Sequence, residues 1–93
     1  GTRIDRWKFD LLRKAILALV PPEGEGPDGE EGIAAMDLPE LISEWLEDEL
    51  DEDQRARLGS VTWYTVAVKL ELEVRGELSR VPRARPQRLI RVV

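Results

Sequence analysis

Apolar residues recur at three- and four-residue steps in the first part of the chain. This spacing places them on one face of a helix that we expect to run from Arg3 to Val20. The helix should end there because Pro21 and Pro22 have no amide hydrogen to donate. The apolar positions of this face are Ile4, Trp7, Leu11, Leu12, Ala15, Ile16 and Leu19.

The next segment, Glu23–Gly32, is rich in glycine and acidic residues and predicts a flexible acidic loop. The short apolar stretch Ile33–Met36 predicts an edge strand.

A second helix then has a strong start signal, because Asp37 is a good N-cap, Pro39 lies in the first turn, and Glu40 completes a capping-box pattern. Its apolar stripe consists of Leu38, Leu41, Ile42, Trp45 and Leu46, and it should end near Leu50.

Residues Asp51–Leu58 predict a short helical turn, and Gly59-Ser60 ends it.

The segment Val61–Val74, which follows, has the pattern of both a strand and a helix. Apolar residues at every second position, with β-branched and aromatic side chains among them, slightly favour a strand. A helix capped by Ser60 also fits, with Trp63, Ala67, Leu70 and Val74 on one face and Thr62, Thr65, Lys69 and Glu73 on another.

Two further strands are predicted near the end of the chain, at Leu78–Val81 and Gln87–Val93. The connection Pro82–Pro86 contains two prolines, which confine it to a loop or a sheet edge. With 93 residues, the chain fits one domain spanning residues 1–93.

Composition excludes several classes of site. The chain has no cysteine and no histidine, so it offers no disulfide, no thiol nucleophile and no zinc ligand of either kind. The acidic run Glu47–Asp53 lacks the glycine and glutamate spacing of an EF-hand loop. We therefore expect no enzyme, no metal and no cofactor. No apolar run is long enough to cross a membrane, so we expect a cytoplasmic protein without a membrane partner.

Charge is segregated along the chain. Residues 23–53 carry fourteen acidic and no basic side chains, whereas residues 54–93 carry nine basic and three acidic ones. The net charge of −5 therefore conceals a basic C-terminal part that would attract a polyanion and an acidic middle that would repel one.

The stretch Lys69–Val81 resembles the end of the recognition helix and the start of the wing in bacterial winged helix-turn-helix proteins of the MarR type. The matching features are Leu70 and Leu72, then Arg75-Gly76, then Leu78 and Arg80. The chain is most similar to the uncharacterised bacterial members of that superfamily. The resemblance implies that residues 61–74 are helical, and that the fold is mainly α with a small β-hairpin. The alternative is an α+β fold in which residues 61–74 form a strand.

The resemblance also implies a transcription-regulatory domain that binds double-stranded DNA. The recognition helix would then contact bases and phosphates, and the wing would contact the backbone. The residues that would carry these contacts are Thr62, Thr65, Lys69, Arg80, Arg83 and Arg85.

The alternative function is a protein-interaction module of the same fold that does not bind DNA. The acidic second helix and the small number of basic residues on the candidate recognition face favour it. Opposite charges on different faces could also pair two copies into a salt-sensitive homodimer. Of the tryptophans, Trp7 and Trp45 fall on apolar stripes and are expected in the core.

Overall fold

The computed structural model describes residues 4–93. In that range it contains four α-helices, a short 3-10 turn and one small sheet. The elements follow in the order α1 (Arg6–Leu19), β1 (Ile33–Ala34), a 3-10 turn (Ala35–Asp37), α2 (Leu38–Glu49), α3 (Glu52–Leu58), α4 (Val61–Val74), β2 (Leu78–Arg80) and β3 (Arg88–Arg91). The coarse prediction of a mainly helical fold with a small β-hairpin is confirmed.

Helix α1 follows the predicted apolar face. The predicted start at Arg3 lies outside the described residues, and the helix runs from Arg6 to Leu19. It ends as expected because Val20 has extended backbone geometry and prolines follow it. Its buried positions are Leu12, Ala15 and Ile16.

The acidic segment 23–32 is anchored by one arginine of β3. The Arg88 guanidinium donates to the carbonyl oxygens of Glu31 and Gly32, at 2.8 Å each, and to Asp28 Oδ1 at 3.0 Å. Gly32 lies against β3 with a φ of +76°, where an added Cβ would fall 2.4 Å from the carbonyl oxygen of Leu89. The loop predicted to be flexible therefore has specific contacts at its C-terminal end.

The predicted capping box at Asp37 is wrong. Asp37 ends the 3-10 turn with helical backbone angles, φ −85° and ψ −14°, and its side chain makes no cap hydrogen bond. A side-chain cap requires extended geometry at that position. The motif forms instead at α3, where Asp51 Oδ1 accepts from the Gln54 amide at 2.8 Å and Gln54 Oε1 accepts from the Asp51 amide at 3.0 Å.

Helix α4 settles the ambiguous segment, because Val61–Val74 is helical throughout. The local preference for a strand, and the alternative fold built on it, are wrong. The helix begins at the predicted cap, where Ser60 Oγ accepts from the Trp63 amide at 3.2 Å. It ends before Gly76, which has the expected left-handed backbone with a φ of +77°.

The sheet is three-stranded and antiparallel, in the order β1-β3-β2. Strand β1 is therefore an edge strand, as predicted, although it covers only Ile33–Ala34. Leu78 pairs with Arg91 in the β2–β3 hairpin, and Ile33 pairs with Leu89 across β1 and β3. The central strand thus connects the hairpin to the segment that precedes α2.

The helices and the sheet enclose a single cluster of buried aliphatic side chains. Its fully buried members come from all four helices, from β3 and from Val20 just after α1: Leu12, Ala15, Ile16, Val20, Leu38, Ile42, Leu46, Leu58, Val68, Leu72 and Leu89. Among the described residues, no helix is long and apolar enough to cross a membrane.

Candidate functional site

The outer face of α4 carries large apolar side chains that the rest of the described chain covers only in part. Trp63 is 46% exposed, Val66 51%, Leu70 46% and Val74 83%. These four residues are spaced by three and four positions, so they lie on one side of the helix. We call them the apolar stripe.

The inner face of α4 is apolar as well. Val68 and Leu72 are fully buried in the core, and Thr65 lies beside them with 2% of its surface exposed. A helix that is apolar on all sides is normally buried on all sides. Helix α4 is covered by the rest of the chain on one side only.

Two shallow depressions extend the apolar stripe into a continuous surface. The first is lined by Ser60, Thr62, Trp63, Val66, Ala67 and Leu70. The second is lined by Leu70, Glu73, Val74, Leu78, Ser79 and Arg80. Because Leu70 lines both, the surface runs from the start of α4 to strand β2.

Charged residues border one side of this surface and neutralise one another. Lys69 Nζ donates to Gln87 Oε1 at 2.8 Å and lies 3.7 Å from Glu73 Oε2. Arg80 Nε donates to Glu73 Oε1 at 2.7 Å, and this hydrogen bond raises the pKa of Arg80 above its ordinary value. The border therefore has a small net charge.

Aromatic residues continue the surface beyond the start of α4. Lys8 Nζ donates to Tyr64 Oη at 3.3 Å and lies 5.7 Å from the centre of the Trp7 ring. The rings of Trp63 and Tyr64 meet edge to face, with centroids 4.9 Å apart.

The prediction of a core position is wrong for Trp7, which lies in the first turn of α1 and is 41% exposed. Trp45 packs against the core as predicted.

The six residues predicted to contact DNA do not share one surface. Thr65 faces the core, and the Lys69 side chain is only 13% exposed, so their predicted places on the exposed face of α4 are wrong. The physical reason is that α4 packs through Thr65, Val68 and Leu72, which turns the other apolar face outward. Thr62 and Arg80 border the stripe.

The remaining two predicted residues, Arg83 and Arg85, lie in the turn between β2 and β3. Both are exposed, and Arg83 has a left-handed backbone with a φ of +64°. Within residues 4–93 neither guanidinium makes an ion pair. In the same range, no group of three acidic side chains is arranged to hold a metal ion.

A model of a family of unknown function, DUF6958, matches residues 1–89. The chain belongs to DUF6958. No curated protein matches this DUF6958 chain, and no solved structure matches it either.

The outer surface of α4 in this DUF6958 domain is apolar with a polar border. An exposed tryptophan and exposed aliphatic residues, with polar and charged residues at the edge, are typical of protein–protein contacts. The sequence placed Trp63, Leu70 and Val74 on one face of a helix, but it did not predict that this face is exposed or that Val66 belongs to it. Apolar residues at every second position of a helix, such as Val66, Val68 and Leu70, fall alternately on opposite faces.

Proposed function

We propose that this domain is a protein-interaction module that binds a protein partner through the outer face of α4. The observation that carries the proposal is the exposure of Trp63, Val66, Leu70 and Val74 on a helix whose other face is already packed. Full burial of a leucine or valine side chain is favourable by about 1.5–3 kcal/mol, so covering the exposed half of Leu70 would contribute about 1 kcal/mol to the free energy of binding.

We further propose that the module has a winged helix-turn-helix fold. The supporting features are the sheet order β1-β3-β2, the placement of α2, α3 and α4 between β1 and β2, and the terminal β2–β3 hairpin. In this assignment α4 is the counterpart of the recognition helix. Its outward face is apolar, and the Lys69 and Arg80 cations that border it are paired with the Glu73 carboxylate, which favours a protein surface over the phosphates of a DNA groove.

The proposal is tested by site-specific photocrosslinking in cells that produce the protein naturally. A benzophenone amino acid replaces Val66 in one variant and Met36 in the other. Met36 is the matched control because it is apolar, 70% exposed and outside the stripe. We expect irradiation to yield a discrete protein adduct from position 66 and none from position 36.

The additional variant Leu70→Glu tests whether the adduct depends on the apolar stripe. A glutamate there places a charge in the contact without entering the monomer core, and it should abolish the adduct from position 66. If position 66 yields no adduct, or yields the same adducts as position 36, the outer face of α4 is not a protein-binding surface.

Duplex DNA binding is a second candidate function, supported by the turn between β2 and β3. Arg83 and Arg85 are exposed there, and such a pair suits contact with phosphates. Fluorescence anisotropy with random-sequence duplex DNA tests it at low and moderate salt. Affinity that falls with salt and with the double variant Arg83→Ala/Arg85→Ala would support DNA binding, and no binding at the lowest salt would reject it.

A further inference from the structure

We propose that the protein bound to the outer face of α4 is a second copy of this chain, with the two α4 helices packed antiparallel about a two-fold axis. This inference rests on the proposed function, because it names the partner of the same surface. Closed two-fold dimers are the commonest assemblies of soluble proteins, and their interfaces require a surface that is complementary to itself.

The sizes of the side chains along the stripe meet that requirement. Trp63 and Val74 are equally distant from the middle of the stripe, as are Ala67 and Leu70. In an antiparallel pair each of these residues therefore faces its counterpart on the second copy. At these two levels a large side chain meets a small one, Trp63 against Val74 and Leu70 against Ala67, which lies beside the stripe. Val66 lies level with Glu71 of the second copy and one residue from its Leu70.

Electrostatics also favour the antiparallel arrangement. The dipoles of two antiparallel helices oppose each other, so the negative C-terminal end of one lies beside the positive N-terminal end of the other. Glu73, near the C-terminal end, then approaches the first turn of the second α4. None of the fourteen acidic residues of segment 23–53 lines either depression along the stripe, so they do not bring like charges into this contact.

The apolar stripe supplies about half of the area that a stable contact buries on each partner. The exposed parts of the four stripe residues add up to roughly 450 Å², which is the scale of the largest apolar patch on a monomer. A stable interface buries about 800 Å² on each partner. The polar residues that border the stripe, among them Ser60, Thr62, Ser79 and Arg80, lie in position to supply the remainder.

Sedimentation velocity over micromolar to millimolar concentrations tests the pairing. We expect the 10.6 kDa chain to sediment at twice its mass at the upper concentrations. Leu70→Glu should remain monomeric, while the matched control Met36→Glu should dimerise like the wild type. Circular dichroism should give the same helix content for all three proteins. A wild type that stays monomeric, or a Leu70→Glu variant that still dimerises, would overturn the proposal.

Disulfide crosslinking tests the direction of packing, since the chain has no native cysteine. Ala67→Cys lies close to the two-fold axis and should oxidise to a covalent dimer. Val74→Cys should not, because the two copies of position 74 lie about 16 Å apart along the helix axis in an antiparallel pair. Met36→Cys is the matched control, because it measures the yield of disulfide dimer that random collisions produce. Efficient crosslinking of Val74→Cys would indicate a parallel pair and contradict the proposal.

These results separate failure of the pairing from failure of the proposed function. If the chain is monomeric while position 66 photocrosslinks to a different protein, the second copy is ruled out and the protein-interaction module stands. If the chain is monomeric and position 66 captures no protein, both proposals fail.

Discussion

Thr65 is a polar residue in an apolar environment. Its side chain is buried among the aliphatic residues of the core, and its Oγ1 has no hydrogen-bond partner within residues 4–93. A buried hydroxyl without a partner is destabilising because it loses its bonds to water and gains none in return. The residue that the sequence places on a DNA-contacting face thus weakens the core of the monomer.

We predict that Thr65→Val raises the free energy of unfolding by about 1 kcal/mol, since valine has nearly the same shape and no hydroxyl. Urea denaturation followed by circular dichroism measures the change. The matched control Thr62→Val, at an exposed position of the same helix, should leave the stability nearly unchanged. A loss of stability in Thr65→Val would mean that the hydroxyl is satisfied in the native state.

Glu77 connects the end of α4 to helix α1. The Arg13 guanidinium donates to Glu77 Oε1, and Arg13 Nε lies 3.0 Å from that oxygen. This hydrogen bond holds the pKa of Glu77 below its ordinary value, although partial burial of the carboxylate acts in the opposite direction. Because the folded state has the lower pKa, the pair stabilises the fold above the ordinary pKa of the carboxyl. That contribution disappears as the pH falls through the lowered value.

We predict that Glu77→Gln lowers the free energy of unfolding at neutral pH by about 0.5 kcal/mol, a small value because both side chains are partly solvated. The difference between variant and wild type should shrink as the pH falls below about 4. Urea titrations at a series of pH values measure this. A difference that does not depend on pH would show that the pair contributes through packing and not through charge.

At the scale of the element, α4 explains both the ambiguity of the sequence and the origin of the site. Its apolar residues at positions 66, 68, 70, 72 and 74 have the period of a strand. In a helix the same period sends Val68 and Leu72 into the core and leaves Val66, Leu70 and Val74 outside. Alternation within this helix thus marks two apolar faces, one packed in the core and one exposed.

We predict different costs for truncating neighbouring leucines of α4. Leu72→Ala should lower the free energy of unfolding by about 3 kcal/mol, because it leaves a cavity in the core. Leu70→Ala should lower it by less than about 1 kcal/mol, because its side chain is half exposed. Urea denaturation at low protein concentration, where any dimer dissociates, measures both. Equal losses would mean that the two leucines are buried alike in the monomer.

The helix caps illustrate which local features the sequence could resolve. Both Asp37 and Asp51 are followed three residues later by a glutamate or glutamine, so both have the capping-box pattern. Only Asp51 has the extended backbone that lets its side chain reach the N3 amide. Asp37 is the last residue of a 3-10 turn whose first amide, that of Ala35, donates to the Gln87 carbonyl oxygen at 2.9 Å, and this tertiary constraint is invisible in the local pattern.

At the scale of the whole molecule, the order of elements was predictable and the site was not. A helix, a short strand, three helices of which the middle one is short, and a hairpin follow from apolar spacing, prolines, Gly76 and the resemblance at Lys69–Val81. The exposed surface depends on which face of α4 packs against α1 and α2. That choice is made by the fit of the whole core, so the sequence pattern of α4 alone allows either face.

The structure also shows where the acidic side chains of the middle segment lie and how some of them are paired. Part of the negative charge of this segment is compensated within the domain by Arg88. Arg88 Nη2 donates to Asp28 Oδ1, and Arg88 Nη1 lies 3.2 Å from Glu30 Oε2. Acidic residues of α2, Glu40 and Glu44, border a separate depression beside Asp28. The negative charge is thus concentrated away from the apolar stripe, which leaves the outer face of α4 free of strong like-charge repulsion.

Contact between two copies through the outer face of α4 should depend on protein concentration. Two-dimensional amide NMR spectra of the isotopically labelled chain, recorded as it is diluted from millimolar to micromolar concentrations, test this contact residue by residue. We expect the signals of residues 63, 66, 67, 70 and 74 to shift on dilution, while those of Arg83 and Arg85 stay in place. Spectra that do not change, or changes confined to residues outside α4, would contradict it.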